Sequence, residues 1–132
     1  MKQKVYARRF LRISPDMPLY GSARIVSIGN RRVNTGIAIV RILNISSGGL
    51  RFVSNLRMPI DHTVVLQINL RLDKTTYCIQ GYIVHSRKNE VCDYEYGFRF
   101  LEPNEGLREA LIRLFVRMSY KLQRHIIVLR LK

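Results

Sequence analysis

Between Ala23 and Phe100 apolar and polar residues alternate with a period of two, and beyond Pro103 that pattern gives way to three- and four-residue spacing. Successive side chains of a strand point to opposite faces, whereas positions three and four apart share one face of a helix. The order predicts roughly six short strands followed by one helix. The strands are expected at Ala23 to Ile28, Ile37 to Ile45, Leu50 to Val53, Val64 to Leu72, Thr75 to Arg87 and Tyr94 to Leu101. The turn-forming runs GNRRVNTG, SSGG, SNLRMPIDH and KNEVCD separate them. Most positions on both faces of the second strand are apolar, as in a central strand. Gly81 interrupts the fifth strand at a position that suits a bulge or bend in a curling wall. Short consecutive antiparallel strands must hide their edges, so a small closed barrel is expected rather than a sandwich.

After Pro103, Leu107, Leu111, Leu114, Phe115, Met118 and Leu122 recur at helical spacing, and Asn104 stands where an N-cap belongs. This apolar stripe is read as packing on the barrel or on a second subunit. Ile112, Val116 and the run Ile126 to Leu129 lie beyond that stripe, so Leu107 to Leu131 is a candidate homodimer or partner contact. The closing IIVLRLK fits a helical extension, a docked strand or an interface.

At 132 residues the chain makes one domain. Its segments are a flexible basic arm over 1–13, the barrel over 14–103, and the helix and tail over 104–132. Lys and Arg number 23 against 9 Asp and Glu, giving a formal charge of +14, and up to Ile60 the only acid is Asp16. Such a field attracts a polyanion, an anionic membrane or a small phosphorylated ligand, and places that chemistry in the first half. The N-terminus lacks a signal-peptide core and no stretch approaches the roughly 20 apolar residues that cross a bilayer, so a cytoplasmic protein is expected.

Cys78 and Cys92 lack CxxC spacing and are read as reduced, buried or incidental thiols. His62, His85 and His125 are scattered without a second ligand at metal spacing, so no metal site is assigned. GxSxG, HExxH and P-loop motifs are all missing, as is an acid/base carboxylate pair. The expectation is a non-enzymatic protein without a cofactor.

Two segments stand out against this background. Arg8, Arg9 and Arg12 lie in ARRFLRI, with Arg8 and Arg12 four apart and able to share a face. A guanidinium fork binds phosphate, or the O6/N7 edge of guanine, through two hydrogen bonds. Taken alone, the run better suits a solvated basic tail. The second segment, Asn44 to Leu50, ends one strand and starts the next. Asn44 and Ser46 would share a face with Ile45 pointing into the core, and Gly48 and Gly49 permit positive φ and close backbone approach. Taken alone, it also suits a plain hairpin turn.

Together, Arg-x-x-x-Arg followed some thirty residues later by Asn-x-Ser-x-x-Gly resembles the paired signature of the PilZ domain family. Arg8 and Arg12 match the first motif, and Asn44, Ser46 and Gly49 match the second. Leu50 to Val53 fits the strand after the second motif, and YGFRFLE resembles the family's last barrel strand. The likeness runs from about Arg8 to Leu122.

The resemblance implies a mainly β protein: a six-stranded antiparallel barrel with a C-terminal helix. It also implies a non-catalytic, stand-alone receptor for the bacterial second messenger cyclic di-GMP, which the family often binds as an intercalated dimer. Arg8, Arg9 and Arg12 would contact phosphates and guanine edges from an arm that folds over the dinucleotide; residues up to about Arg12 lack strand or helix periodicity, so they are expected to be mobile without ligand. Asn44 and Ser46 would read a guanine, with Gly48 and Gly49 beside it. An unidentified protein effector would take the signal onward, in control of motility, biofilm or exopolysaccharide. NRRVNT makes the segment between the motifs long for the family, suggesting an inserted hairpin near the site. Two other readings compete. In one, a basic barrel binds single-stranded nucleic acid by stacking Tyr77, Tyr82, Tyr94, Tyr96, Phe98 and Phe100. In the other, the chain is an adaptor that binds protein only.

Overall fold

The computed structural model describes residues 12–15, 18–89 and 93–131, with helix side chains as far as Met118. Arg8, Arg9 and most of the basic arm, Cys92, and the side chains of Leu122 and Ile126 to Leu129 lie outside the described residues. The alternating stretch forms β1 (Leu19–Ile28), β2 (Arg31–Arg32), β3 (Ala38–Ile45), β4 (Gly49–Ser54), β5 (Val64–Leu72), β6 (Thr75–Lys88) and β7 (Tyr94–Phe100). The helical spacing forms α1 (Glu105–Leu131).

Closure follows from the length of β1. Its residues Leu19 to Ala23 pair with Ile42 to Ala38 of β3, and Gly21 to Ile28 pair with Leu70 to Val64 of β5. One strand thus serves as both ends of the sheet, and the antiparallel ring β1-β3-β4-β7-β6-β5 returns to β1. All six main strands have both edges paired, which removes the edge problem that the sequence posed. The mainly β barrel with one C-terminal helix is as expected.

Three local features differ from the expectation. β1 begins at Leu19 rather than Ala23, because pairing with β3 orders residues that carry little alternation of their own. The polar run GNRRVNTG contains β2, whose Arg31 and Arg32 fold back on Ile28 and Ser27 through a turn with Gly29 at φ 60°. This hairpin sits at the Ile28 end of β1, whereas Asn44 lies past the Leu19 end, so it is not beside the motif. Gly81 marks a close approach: a Cβ there would run into the Arg99 carbonyl, and the bulge of β6 falls two residues on, between Ile83 and His85.

The inward residues form a continuous core around Phe52, which is fully buried with its ring centroid 5.2 Å from that of Tyr96 and 6.4 Å from that of Phe98. The Tyr96 hydroxyl accepts from Met58 N (2.7 Å) and donates to Leu56 O (2.8 Å), holding the β4–β5 loop against the barrel. Burial pushes this phenol above the ordinary tyrosine range.

Asn104 caps α1: its Oδ1 accepts from Leu107 N at 2.9 Å, and its carbonyl accepts from Arg108 N at 2.9 Å. Leu107, Ala110 and Leu111 are buried in the barrel core and Leu114 packs at its edge. Ile112, Phe115, Val116 and Met118 are exposed, so the expected stripe is covered only over its first turns. Arg117 reaches Asp73 in the β5–β6 turn at 3.1 Å. The closing run continues the helix to Leu131. Among the described residues no helix is long and apolar enough to cross a membrane.

Candidate ligand-binding site

The end of the first motif meets the second through one buried residue. Ile13, 6% exposed, makes an isolated antiparallel bridge with Ile45, donating from its N to the Ile45 carbonyl and accepting in return, each at 2.9 Å. In an antiparallel pair the neighbours run in opposite directions, which brings Arg12 alongside Ser46 and Ser14 alongside Asn44. Because Ile13 points into the core, Arg12 faces outward, and it is exposed.

A bulge in β3 orients Asn44. Ile42 pairs with Phe52, but the next partners are Asn44 with Arg51 and Ile45 with Leu50, so Leu43 is the extra residue. Strict alternation would have turned Asn44 to the same inward face as Ile42. The inserted residue turns it outward instead and returns Ile45 to the core. Asn44 is half-buried, and its amide makes no hydrogen bond among the described residues.

Ser46 has a different place. It is buried, its hydroxyl accepts from Gly48 N (3.3 Å) and Gly49 N (3.2 Å), and it donates to Gly49 O at 3.1 Å. The Ser46 backbone N–H adds a 2.8 Å bond to the same carbonyl. These bonds hold the turn without a left-handed residue: among the described glycines φ is positive at Gly29, not at Gly48 or Gly49 as expected. Gly49 is instead required by strand approach, since a Cβ there would stand 2.5 Å from the Phe98 carbonyl of β7. Gly48 O accepts from Phe100 N at 3.0 Å, fastening the turn to the same strand. The turn is thus a rigid ledge on which Asn44 and Arg12 are displayed.

Arg51 belongs to this surface and escaped the sequence reading. It pairs across strands with Asn44 on one side and Gly97 on the other, and the ring of His85 lies over Gly97. Its guanidinium meets Glu95 Oε2 at 3.0 Å, an oxygen that also takes Arg87 at 2.6 Å, while Arg51 Nε is buried without a partner. Glu95 is largely buried and serves two arginines, so this cluster keeps a net positive charge. The signal was available: Leu50 and Phe52 are inward, so alternation puts Arg51 outward, two residues after Gly49.

Cys78 is an exposed free thiol rather than a buried one, and no metal-binding cluster occurs among the described residues. The surface around Asn44 offers cationic hydrogen-bond donors, an amide and a shaped backbone, which is equipment for holding an anion with a readable polar edge.

The PilZ domain family model matches residues 6–117, which takes in both motifs, the barrel and the docked part of α1. The chain belongs to the PilZ domain family. Solved structures similar to this PilZ barrel include the Bacillus subtilis inhibitor of motility MotI/DgrA, at 16% identity and TM-score 0.63, covering 86% of this chain and 52% of that one. Escherichia coli YcgR in complex with c-di-GMP matches at 15% identity and TM-score 0.62, covering 92% of this chain and 50% of that one. The PilZ domain of YcgR with c-di-GMP matches at 14% identity and TM-score 0.56, covering 90% of this chain and 96% of that domain. At these identities the likeness is one of fold. The chain spans about half the length of MotI and YcgR and nearly all of the isolated PilZ domain. A search of curated proteins finds no match to this chain.

Proposed function

We propose that this PilZ domain is a cytoplasmic, non-enzymatic receptor for cyclic di-GMP that passes the signal to a protein effector. The observation that carries the reading is the Ile13–Ile45 bridge, because it sets the end of the arginine motif against the Asn-x-Ser-x-x-Gly turn on the outer barrel wall. Two arms of chemistry are needed for a cyclic dinucleotide. Guanidinium groups of Arg8, Arg9 and Arg12 neutralise its phosphates and reach guanine edges, and the free Asn44 amide accepts from and donates to a guanine. Arg51, held by Glu95, supplies a further fork next to Asn44. Ser46, Gly48 and Gly49 support the reading by shaping the ledge through their own hydrogen bonds. The arm closes over the dinucleotide and so changes the surface that an effector meets.

The nucleic-acid reading is weakened: of the six aromatics it stacks on, Tyr77, Tyr96, Phe98 and Phe100 are buried and Tyr82 and Tyr94 are partly accessible. Calorimetry with cyclic di-GMP, cyclic di-AMP and an oligonucleotide separates the readings. Cyclic di-GMP is expected at micromolar affinity or better, roughly −8 kcal/mol, with cyclic di-AMP far weaker because its base edge presents the reverse donor pattern. Equal competition by the two dinucleotides would reduce the interaction to phosphate electrostatics, and silence with all three would leave a protein-only adaptor.

The same reading includes a homodimer through α1. Ile112, Phe115, Val116 and Met118 are exposed together over the turns that leave the barrel, an apolar surface that a second copy would cover. Sedimentation of the intact chain beside a version ending at Arg124 tests it: a dimer that becomes a monomer on truncation is expected. Two monomers of equal solubility would remove the contact.

A further inference from the structure

The wall of the barrel remote from Asn44 holds a polar recess, of about 480 Å³, between the β1–β2 hairpin and strands β5 and β6. Its floor is a consequence of register. Arg24 of β1 pairs with Gln67 of β5, and Gln67 pairs with Gln80 of β6, so three outward polar side chains stand in one row across three strands. Ser27, Arg32 and Asn34 supply the facing wall.

That wall is pinned. Thr35 Oγ1 accepts from Ile25 N at 2.9 Å and donates to Ile25 O at 3.3 Å, Val33 N donates to Val26 O at 3.1 Å, and Gly29 N donates to Thr63 O at 2.9 Å. A loop tied at three points along β1 and the neighbouring β5 start gives a preformed recess.

Its charge is unbalanced. No acidic residue lines it, and neither Arg24 nor Arg32 has an ion pair among the described residues. Arg24 Nε is moreover buried with no hydrogen-bond partner, a donor that ordinarily costs stability unless something accepts from it. Gln80 Nε2 donates to Gln67 Oε1 at 3.3 Å, which leaves the Gln67 amide nitrogen and the Gln80 carbonyl available beside the arginines.

We infer that this recess binds a phosphate-bearing small molecule of about mononucleotide size, with the phosphate between Arg24 and Arg32 and its hydroxyl or base groups against Gln67, Gln80 and Asn34. Two separated guanidinium groups suit a compact anion that accepts several hydrogen bonds. The volume lies within the range of small-ligand sites. The inference stands independently of cyclic di-GMP binding, because it uses other strands and the other end of β1.

The test is a titration of the ¹⁵N-labelled full chain, followed by amide shifts, with pyrophosphate, ribose 5-phosphate and adenosine 5′-monophosphate as probes and unphosphorylated ribose and adenosine as controls. Saturable shifts are expected at Ser27, Arg32, Asn34, Gln67 and Gln80 with the phosphorylated probes only. The double variant Arg24→Gln with Arg32→Gln should weaken them by roughly tenfold or more. Arg32 is exposed on a two-residue strand, so Arg32→Gln alone keeps the test available if the double variant does not fold. An oligonucleotide that competes better than the mononucleotide would transfer the site to polymer phosphate and overturn the small-molecule assignment. Non-saturating shifts spread over all basic surfaces, or titrations that the variants leave unchanged, would overturn the site itself.

Discussion

On the proposed function, Arg12→Ala is expected to weaken cyclic di-GMP binding by roughly tenfold to a hundredfold while leaving thermal stability nearly unchanged, since charge-assisted hydrogen bonds are each worth about 1.5–3 kcal/mol. The asymmetry between binding and stability follows from position. Arg12 is exposed and has no ion pair among the described residues, yet the next residue, Ile13, is locked to Ile45 by two 2.9 Å bonds. The guanidinium is therefore tethered within reach of the Asn44 surface without contributing to the core. Asn44→Ala should follow the same pattern at about tenfold, because its amide has no partner among the described residues that the change would orphan. Arg8→Ala tests the remainder of the arm in the same assay. Ser46→Ala is expected to behave differently: it removes the hydroxyl that two backbone N–H groups share, so stability falls together with affinity. Calorimetry paired with thermal denaturation for each variant reads both effects. Parent-like affinity in Arg12→Ala and Asn44→Ala would remove the site from this wall of the barrel.

Phe52→Ala costs about 3–5 kcal/mol of stability, the range for emptying a fully buried aromatic position, and lowers the melting temperature by roughly 10–20 °C for a domain of this length. Phe52 is 0% exposed and touches the rings of both Tyr96 and Phe98, so its removal leaves a cavity bounded by residues of β7 that are themselves fastened to the β4–β5 loop and the Gly48 turn. The Tyr96 ring cannot collapse into the space without loosening its hydroxyl bonds to Met58 and Leu56. Ile39→Ala is the control: it is 66% exposed on the outer face of β3 and should change stability by no more than about 0.5 kcal/mol. Chemical denaturation of both variants checks the difference. A Phe52→Ala protein as stable as the Ile39→Ala protein would mean that the barrel interior is not packed around this ring.

Much of this architecture is legible in the sequence. Val64 to Leu72 forms a strand over the range its alternation predicts, and the switch to helical spacing behind Asn104 starts α1 where the cap residue stands. Both are local signals, carried by side-chain periodicity and by a single cap that works over one turn. The paired motifs were legible as residue types and spacing, and Arg12, Asn44 and the Ser46 turn do come together. Arg51 was within reach of the same alternation argument.

What lay beyond the sequence depended on contacts between distant segments. Ile42 and Ile45 are both core residues three positions apart in a strand, a parity that demands an extra residue, but which position bulges is decided by pairing with Phe52, Arg51 and Leu50. That choice faces Asn44 outward. The division of the helix stripe into buried Leu107 and Leu111 and exposed Phe115 and Met118 depends on how far the barrel extends beneath α1. The recess at Arg24 exists because three strands align one polar row beneath a hairpin that has no periodicity to read. Periodicity states which residues share a face of one element. Which faces meet, and what space they leave between them, is set by pairing energies summed over strands that lie far apart in the chain.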